Sequence, residues 1–246
     1  MAGNGRGIPK LEPVMMTRNF DASERPTGRK PHIQFEAPFL GASTLTFLKP
    51  RLKMVIRPLA ARLAGMGITA NQVTLTSLAG SVAVSAVLCA NSDDPLLFAL
   101  LPLWLPIRTA CASLDGTLAV EFGQKSRLGG ILNEVGDIAS DIALFLPLAF
   151  VAPFSANAVV FLIILIVMAE VAGIAGPLLG SDRRLEGPLG KADRSIILAA
   201  LGLIIALLGN LPATAQLLPP LLYGGLILTI WNRLRFALAD GGKTTG

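Results

Sequence analysis

Long runs without a charged residue dominate the chain. Residues 72–92, 95–107, 142–169 and 195–231 contain no Asp, Glu, Lys or Arg. An apolar stretch of about 20 residues crosses the hydrocarbon core of a bilayer as a helix. The last run is long enough for two such helices, with residues 210–216 (NLPATAQ) as the turn between them. The pattern predicts six transmembrane helices, at about 72–91, 96–119, 128–152, 157–178, 194–209 and 217–237. The expected fold class is therefore all-α, a polytopic membrane protein. Asn71 is the expected N-cap of the first span, with Thr69 as the competing choice.

The segment ahead of the first span reads differently. Over 43–64, Leu48, Leu52, Ile56, Leu59 and Leu63 recur at helical spacing, and Lys49, Arg51, Lys53, Arg57 and Arg62 fall between them. That is the pattern of a basic amphipathic helix lying in the membrane interface. Pro50 and Pro58 are expected to break or kink it, and an ordinary juxtamembrane linker is the alternative. Residues 1–40 are rich in Gly, Pro, Arg and Lys and read as a flexible basic cytoplasmic tail. The remainder, 41–240, reads as one membrane domain without internal repeat or second domain.

Composition agrees and narrows the class. The 246 residues are 52% hydrophobic and 15% charged, with mean hydropathy +0.63; a soluble domain carries more charge and shorter apolar runs. Positive charge orients the helices. Lys125 and Arg127 lie between spans two and three. Arg183, Arg184, Lys191 and Arg194 lie at or between spans four and five, and Arg233, Arg235 and Lys243 end or follow span six. The opposite turns, near 92–95, 153–156 and 210–216, hold neither Lys nor Arg. Both termini are thus expected on the cytoplasmic side of the membrane. MAGNGRGIPK lacks the apolar region of a cleavable signal peptide. Cys89 and Cys111 lie in predicted spans and form no disulfide framework. His32 stands alone in the polar tail, without the convergent partners a ligand or base needs. Membrane lipids, and no nucleic acid, are the expected surroundings.

Residues 112–141 (ASLDGTLAVEFGQKSRLGGILNEVGDIASD) carry the candidate chemistry. Asp115 sits near the cytoplasmic end of span two. On span three, Asn133, Asp137 and Asp141 are spaced by four and share one face. Charge at membrane depth is expensive and marks a functional site by default. Asp137 lies about 13 Å along the helix from Leu128. That depth suits a cavity open to the cytoplasm, where carboxylates bind Mg²⁺ or Mn²⁺ together with phosphate oxygens. Gly116, Gly129, Gly130 and Gly136 flank these residues and let a helix or a nucleotide approach closely.

The stretch resembles the signature of the CDP-alcohol phosphotransferases, D-x-x-D-G-x-x-A-R, eight residues, then G-x-x-x-D-x-x-x-D. Asp115 matches the second aspartate, Gly116 the first glycine, Ala119 the alanine, Gly129 the second glycine and Asp137 the last aspartate. Ala112, Val120 and Asn133 depart from it, at the first aspartate, the arginine and the third aspartate. Residues Leu132 to Asp137 read L-N-E-x-G-D, as in a bacterial branch of that family. The resemblance implies transfer of a phosphatidyl or similar group from a CDP-linked lipid such as CDP-diacylglycerol to a small alcohol, with release of CMP, in phospholipid biosynthesis. It implies a divalent metal, Mg²⁺ or Mn²⁺, and a homodimer. Asp137 would be metal ligand and general base, with Asp115 and Asn133 as further ligands; outside the signature, Asp141, one turn deeper on the same face, or Glu134 is available as a compensating ligand. Gly116, Ala119 and Gly129 would face the nucleotide. With two signature carboxylates rather than four, one ion fits the charge better than two. Glu134, turned about 100° from Asn133, should face away.

Two further sets of charges stay open between readings. Arg108 precedes Asp115 by two helical turns, and Glu170 lies within span four. With Asp141 they fall at similar depth, either as a buried triad that locks three spans or as part of a substrate site. Lys191, Arg194 and Arg183 either bind an anionic acceptor or are ordinary positive-inside charge. Two function classes follow: an active phosphotransferase, or a weakened relative that binds nucleotide or lipid and regulates a partner. A small transporter is a third class, but the matched halves common in such proteins are missing.

Overall fold

The computed structural model describes residues 49–179 and 181–241. These form seven α-helices: α1 (Lys49–Gly65), α2 (Ala70–Ala90), α3 (Leu100–Glu121), α4 (Arg127–Phe145), α5 (Ala156–Leu178), α6 (Lys191–Leu208) and α7 (Leu218–Gly241). Short 3-10 turns at Pro95–Ala99, Leu146–Phe150 and Ala213–Leu217 extend α3, α4 and α7. Each predicted span thus contains a helix. The predicted tail over 1–40, and the start of the predicted amphipathic helix, lie outside the described residues.

Four helical stretches are long and apolar enough to cross a membrane by length and composition: Ala70–Ala90, Pro95–Glu121, Ala156–Leu178 and Ala213–Asp240. α4 and α6 fall short for an identifiable reason. α4 carries Arg127, Glu134, Asp137 and Asp141, and α6 carries Lys191, Asp193 and Arg194, within 19 and 18 residues. Both helices contribute to a charged site that α3, α5 and α7 complete with Arg108, Asp115, Glu170 and Arg233.

Local sequence sets the helix starts. Thr69 caps α2, with Gln72 as its reciprocal partner: the Gln72 amide donates to Thr69 Oγ1 at 3.2 Å and the Thr69 amide to Gln72 Oε1 at 2.9 Å. That capping box satisfies two orphan donors at once, which explains why Thr69 rather than Asn71 is the cap. Ser126 caps α4 and Ser155 caps α5. α1 continues through Pro58, which lies on an exposed side of that helix.

Side-chain bonds tie the connecting segments to neighbouring helices. Gln124 accepts from the Ala70 amide (2.7 Å) and donates to the Ile68 carbonyl (3.3 Å). Arg57 of α1 pairs with Glu121 of α3 at 3.0 Å. Arg183 reaches Glu134, and Arg184 reaches Asp240. Gly187 closes the 181–190 segment onto α7: its φ is +133°, and a Cβ there would stand 2.6 Å from Thr229 Cγ2. A side chain would clash in a backbone region only glycine visits readily.

Two apolar clusters flank the charged layer. The larger joins Leu88, Phe98, Leu101, Leu144, Ile166 and Leu226 from α2 to α7, and the smaller joins Ile56 and Ala60 of α1 to Val73 and Leu118. The outward faces are apolar as well: Leu103, Leu207 and Leu221 are 65%, 73% and 72% exposed. Isolated apolar side chains on a surface are ordinary, but helices this apolar on their outer faces belong in lipid.

Candidate functional site

α2, α3 and α4 meet at a small pocket lined by Thr74 and Ser77 of α2, Ala112 and Asp115 of α3, and Asn133 and Asp137 of α4. Helical periodicity puts them there. Asn133 and Asp137 are one turn apart on α4, and α2 offers Thr74 and Ser77 from one face. Asp115 is buried, 7% exposed, and its Oδ2 accepts from Thr74 Oγ1 at 2.7 Å. Ala112 stands one turn before Asp115 and offers the pocket a methyl group only.

Beside the pocket lies a ring of alternating charges. Lys191 pairs with Asp137. Arg108 Nη2 donates to the Asp137 carbonyl at 3.1 Å and lies 3.4 Å from its Oδ1. The same nitrogen is 3.0 Å from Asp141 Oδ1. The other Asp141 oxygen meets Arg194 Nη2 at 2.8 Å, and that nitrogen also meets Glu170 Oε1 at 2.8 Å. Lys191, 3.7 Å from Glu170 Oε2, closes the ring. Arg233 Nη1 (3.4 Å) and Arg183 Nη2 (3.4 Å) join Glu170 from outside, and Arg183 Nη1 extends to Glu134 Oε1 at 2.6 Å. Four acids of the ring (Glu134, Asp137, Asp141, Glu170) face five cations (Arg108, Arg183, Lys191, Arg194, Arg233), and with Asp115 of the adjoining pocket, held by Thr74 rather than by a cation, the formal charges cancel. A buried carboxylate such as Glu170, 1% exposed, is tolerable only with such partners.

These positions refine the sequence expectations. Asp115, Asn133 and Asp137 come together at the pocket. Asp141 does not line it; both its oxygens are spent on Arg108 and Arg194. The expected triad of Arg108, Asp141 and Glu170 is linked, but through Arg194 rather than directly. Arg194, expected at an acceptor site, is 3% exposed at its side chain and held inside the ring. Lys191 and Arg183 keep 28% and 30% of their side chains open. Gly116 is exposed with open space around it. Gly129 serves a protein contact, since a Cβ there would lie 2.7 Å from Asn71 Oδ1. Ala119 packs against the smaller apolar cluster. Glu134 faces Arg183 rather than the pocket. Sequence reasoning missed Thr74, Ser77 and Arg233. Hydroxyls at helical spacing along α2 (Thr74, Ser77, Ser81, Ser85) were the available signal for the first two; nothing set Arg233 apart from other basic residues at a span end.

Among the described residues, no three His, Cys, Asp or Glu side chains converge as a metal-binding group. Two carboxylates and an amide do share the pocket. Oxygen donors of that kind suit a single hard divalent ion that keeps several of its waters. They do not suit two.

No family model matches the chain. It is 37% identical over 195 residues to the inner membrane protein YnbA of Escherichia coli (strain K12), which covers 79% of this chain and 96% of that protein. Its fold is similar to a crystal structure of the Mycobacterium tuberculosis phosphatidylinositol phosphate synthase with CDP-DAG bound. There the TM-score is 0.59 at 21% identity over 75% of this chain and 94% of that one. A second structure of that synthase, in complex with manganese and citrate, matches with TM-score 0.61 at 22% identity over 74% and 88%. With 96% of a relative's length matched at 37% identity, the chain belongs to the family of the inner membrane protein YnbA, on the fold of a phosphatidylinositol phosphate synthase.

Proposed function

We propose that the protein is a CDP-alcohol phosphotransferase of the bacterial inner membrane. It moves a phosphatidyl or similar phospho group from a CDP-linked lipid to an alcohol and releases CMP. One observation carries this reading: Asp115, Asn133 and Asp137, at signature positions, line one pocket, in a fold that binds CDP-DAG in the mycobacterial synthase. The L-N-E-x-G-D run from Leu132 to Asp137 supports a position in a bacterial branch of that family. Six spans, with both termini and the pocket on the cytoplasmic side, fit the distribution of Lys and Arg. A homodimer is the proposed assembly.

The residues divide the work by position. Asp137 accepts the proton of the acceptor hydroxyl. The freed oxygen forms a bond to the lipid-side phosphorus, and the bond from that phosphorus to CMP breaks. A carboxylate base contributes about 10²–10⁴-fold to such a step. In the ring Lys191 holds Asp137, so the base is free only once Lys191 turns away. Glu170, 3.7 Å from the ammonium, gives Lys191 a second partner. Lys191 and Arg183 then face the anionic groups of donor and acceptor, and the open surface at Gly116 admits the nucleotide. Asp115, Asn133 and Asp137 would hold one Mg²⁺ or Mn²⁺. When bound, it supplies positive charge that stabilises the phosphoryl oxygens and departing CMP. Thr74 fixes Asp115 for that task.

A second reading rests on Ala112, on Val120 (74% exposed), and on the closed Lys191–Asp137 pair. It is a weakened relative that binds nucleotide or lipid and regulates a partner. Purified protein in liposomes with CDP-diacylglycerol, Mn²⁺ and an alcohol panel separates the two. Catalysis gives metal-dependent CMP release that Asp137→Ala abolishes. No CMP above that control, from folded protein, favours the regulatory reading.

A further inference from the structure

We infer that Arg108 is the fixed second cation of this site, so that the pocket takes one divalent ion and not two. The inference rests on reading the pocket as the place where a donor pyrophosphate is held. Arg108 stands on α3 one turn before Ala112 and two turns before Asp115, on the face that meets α4. Its side chain is 9% exposed. One nitrogen, Nη2, lies 3.1 Å from the Asp137 carbonyl, 3.4 Å from Asp137 Oδ1 and 3.0 Å from Asp141 Oδ1. Lys191 touches Asp137 and Arg194 touches Asp141, but Arg108 bridges both. A second ion on this side of the pocket would need ligands from α3. Ala112, which lines the pocket at that point, has none to give.

Charge arithmetic points the same way. The five acids and five cations of the site sum to zero. One divalent ion (+2) and a pyrophosphate diester (−2) leave the sum at zero. A second ion would leave +2 in a partly buried site, where unpaired charge is strongly disfavoured. Arg108 thus supplies, permanently and by one charge, what a second ion would supply on loading. Losing a carboxylate at Ala112 and holding a guanidinium at Arg108 are two halves of one arrangement. The pair Arg108→Gln and Ala112→Asp shifts the local charge by −2, the amount a second divalent ion restores.

The test is a count of Mn²⁺ bound per chain, by electron paramagnetic resonance on purified protein in detergent with CDP-diacylglycerol present, no acceptor alcohol, and Mn²⁺ as the only added metal. The wild type is expected to bind one. Ala112→Asp alone should still bind one, because the new carboxylate sits one turn from Arg108 and pairs with it. Arg108→Lys, which keeps the charge, should also bind one. Ala112→Asp with Arg108→Gln should bind two. Two ions per wild-type chain, or none, would overturn the inference. So would a count of one in the double variant when it elutes and melts as a folded protein. If the double variant does not fold, the wild type and Ala112→Asp decide. CMP release separates the two claims: two ions with CMP release overturns only the role of Arg108, and one ion without CMP release overturns only the phosphotransferase reading.

Discussion

Replacing Glu170 with glutamine tests whether the charged ring holds the helices together. Glu170 is 1% exposed, and it faces Arg194 at 2.8 Å, Arg233 and Arg183 at 3.4 Å, and Lys191 at 3.7 Å. Glutamine keeps the volume and removes the charge. Asp141 still faces Arg194, but Arg233, 2% exposed at its side chain, loses the carboxylate beside it. Removing one partner from a buried ion pair costs about 3–5 kcal/mol. In a chain of this size 1 kcal/mol moves the melting temperature by about 2–4 °C, so the expected fall is about 6–20 °C. Cys89 and Cys111, both half-buried thiols, report unfolding in detergent through a thiol-reactive dye. Arg57→Gln is the control: its bridge to Glu121 leaves Arg57 72% exposed, and such pairs are worth about 0–1 kcal/mol. Adding Arg194→Gln to Glu170→Gln should recover about 0.5–3 kcal/mol relative to the sum of the single changes, since Asp141 keeps Arg108. A Glu170→Gln melting temperature no lower than that of the control would refute the reasoning.

Thr74→Val removes the 2.7 Å bond to Asp115 at nearly constant volume. A bond to a charged group is worth about 1.5–3 kcal/mol, so the melting temperature should fall by about 3–12 °C, and CMP release roughly 10–100-fold. Lys191→Ala should raise the KM for an anionic acceptor about tenfold or more, the effect of about 1.4 kcal/mol, whereas Arg194→Lys should act mainly on stability. Ala112→Asp with Val120→Arg, Arg108 kept, should leave turnover unchanged or lower; a clear rise in CMP release would show the departures to be decay. All three are read by the liposome CMP assay with a melting curve alongside.

Much of the architecture was legible because membrane helices obey a strict rule. Uncharged runs of bilayer length have few alternatives, and a helix occurs at each predicted span. That Asn133 and Asp137 share a face was legible from spacing, since positions four apart on a helix do so; that Asp115 of another helix joins them was implied by the resemblance to the family signature. Contacts between distant segments were less so. Arg108, Asp141 and Glu170 could be placed at one depth by helix rise, but depth does not say which partner each side chain takes. Arg194 intervenes between Asp141 and Glu170, and at sequence level it looks like any basic residue at a span entrance. Arg233 was hidden in the same way, although its guanidinium reaches the Ala169 carbonyl and Glu170. Thr74 was silent because a threonine in an apolar helix usually bonds its own backbone, as Thr109 and Thr117 do; the Thr74 hydroxyl also lies 3.1 Å from the Ala70 carbonyl, farther than from Asp115. Gly129 and Ala119 matched a nucleotide-facing signature but pack against protein; a motif carries no information on which of its small residues is needed for packing.

Group transfer is tested most directly by measuring both products of one reaction. Purified protein in liposomes of CDP-diacylglycerol is supplied with Mn²⁺ and the alcohol that gives the fastest CMP release. CMP is quantified by chromatography and the new phosphodiester lipid by mass spectrometry. Transfer through Asp137 predicts equal amounts of CMP and lipid, both lost in Asp137→Ala. CMP without a matching lipid would mean hydrolysis, and neither product from the folded wild type would contradict group transfer.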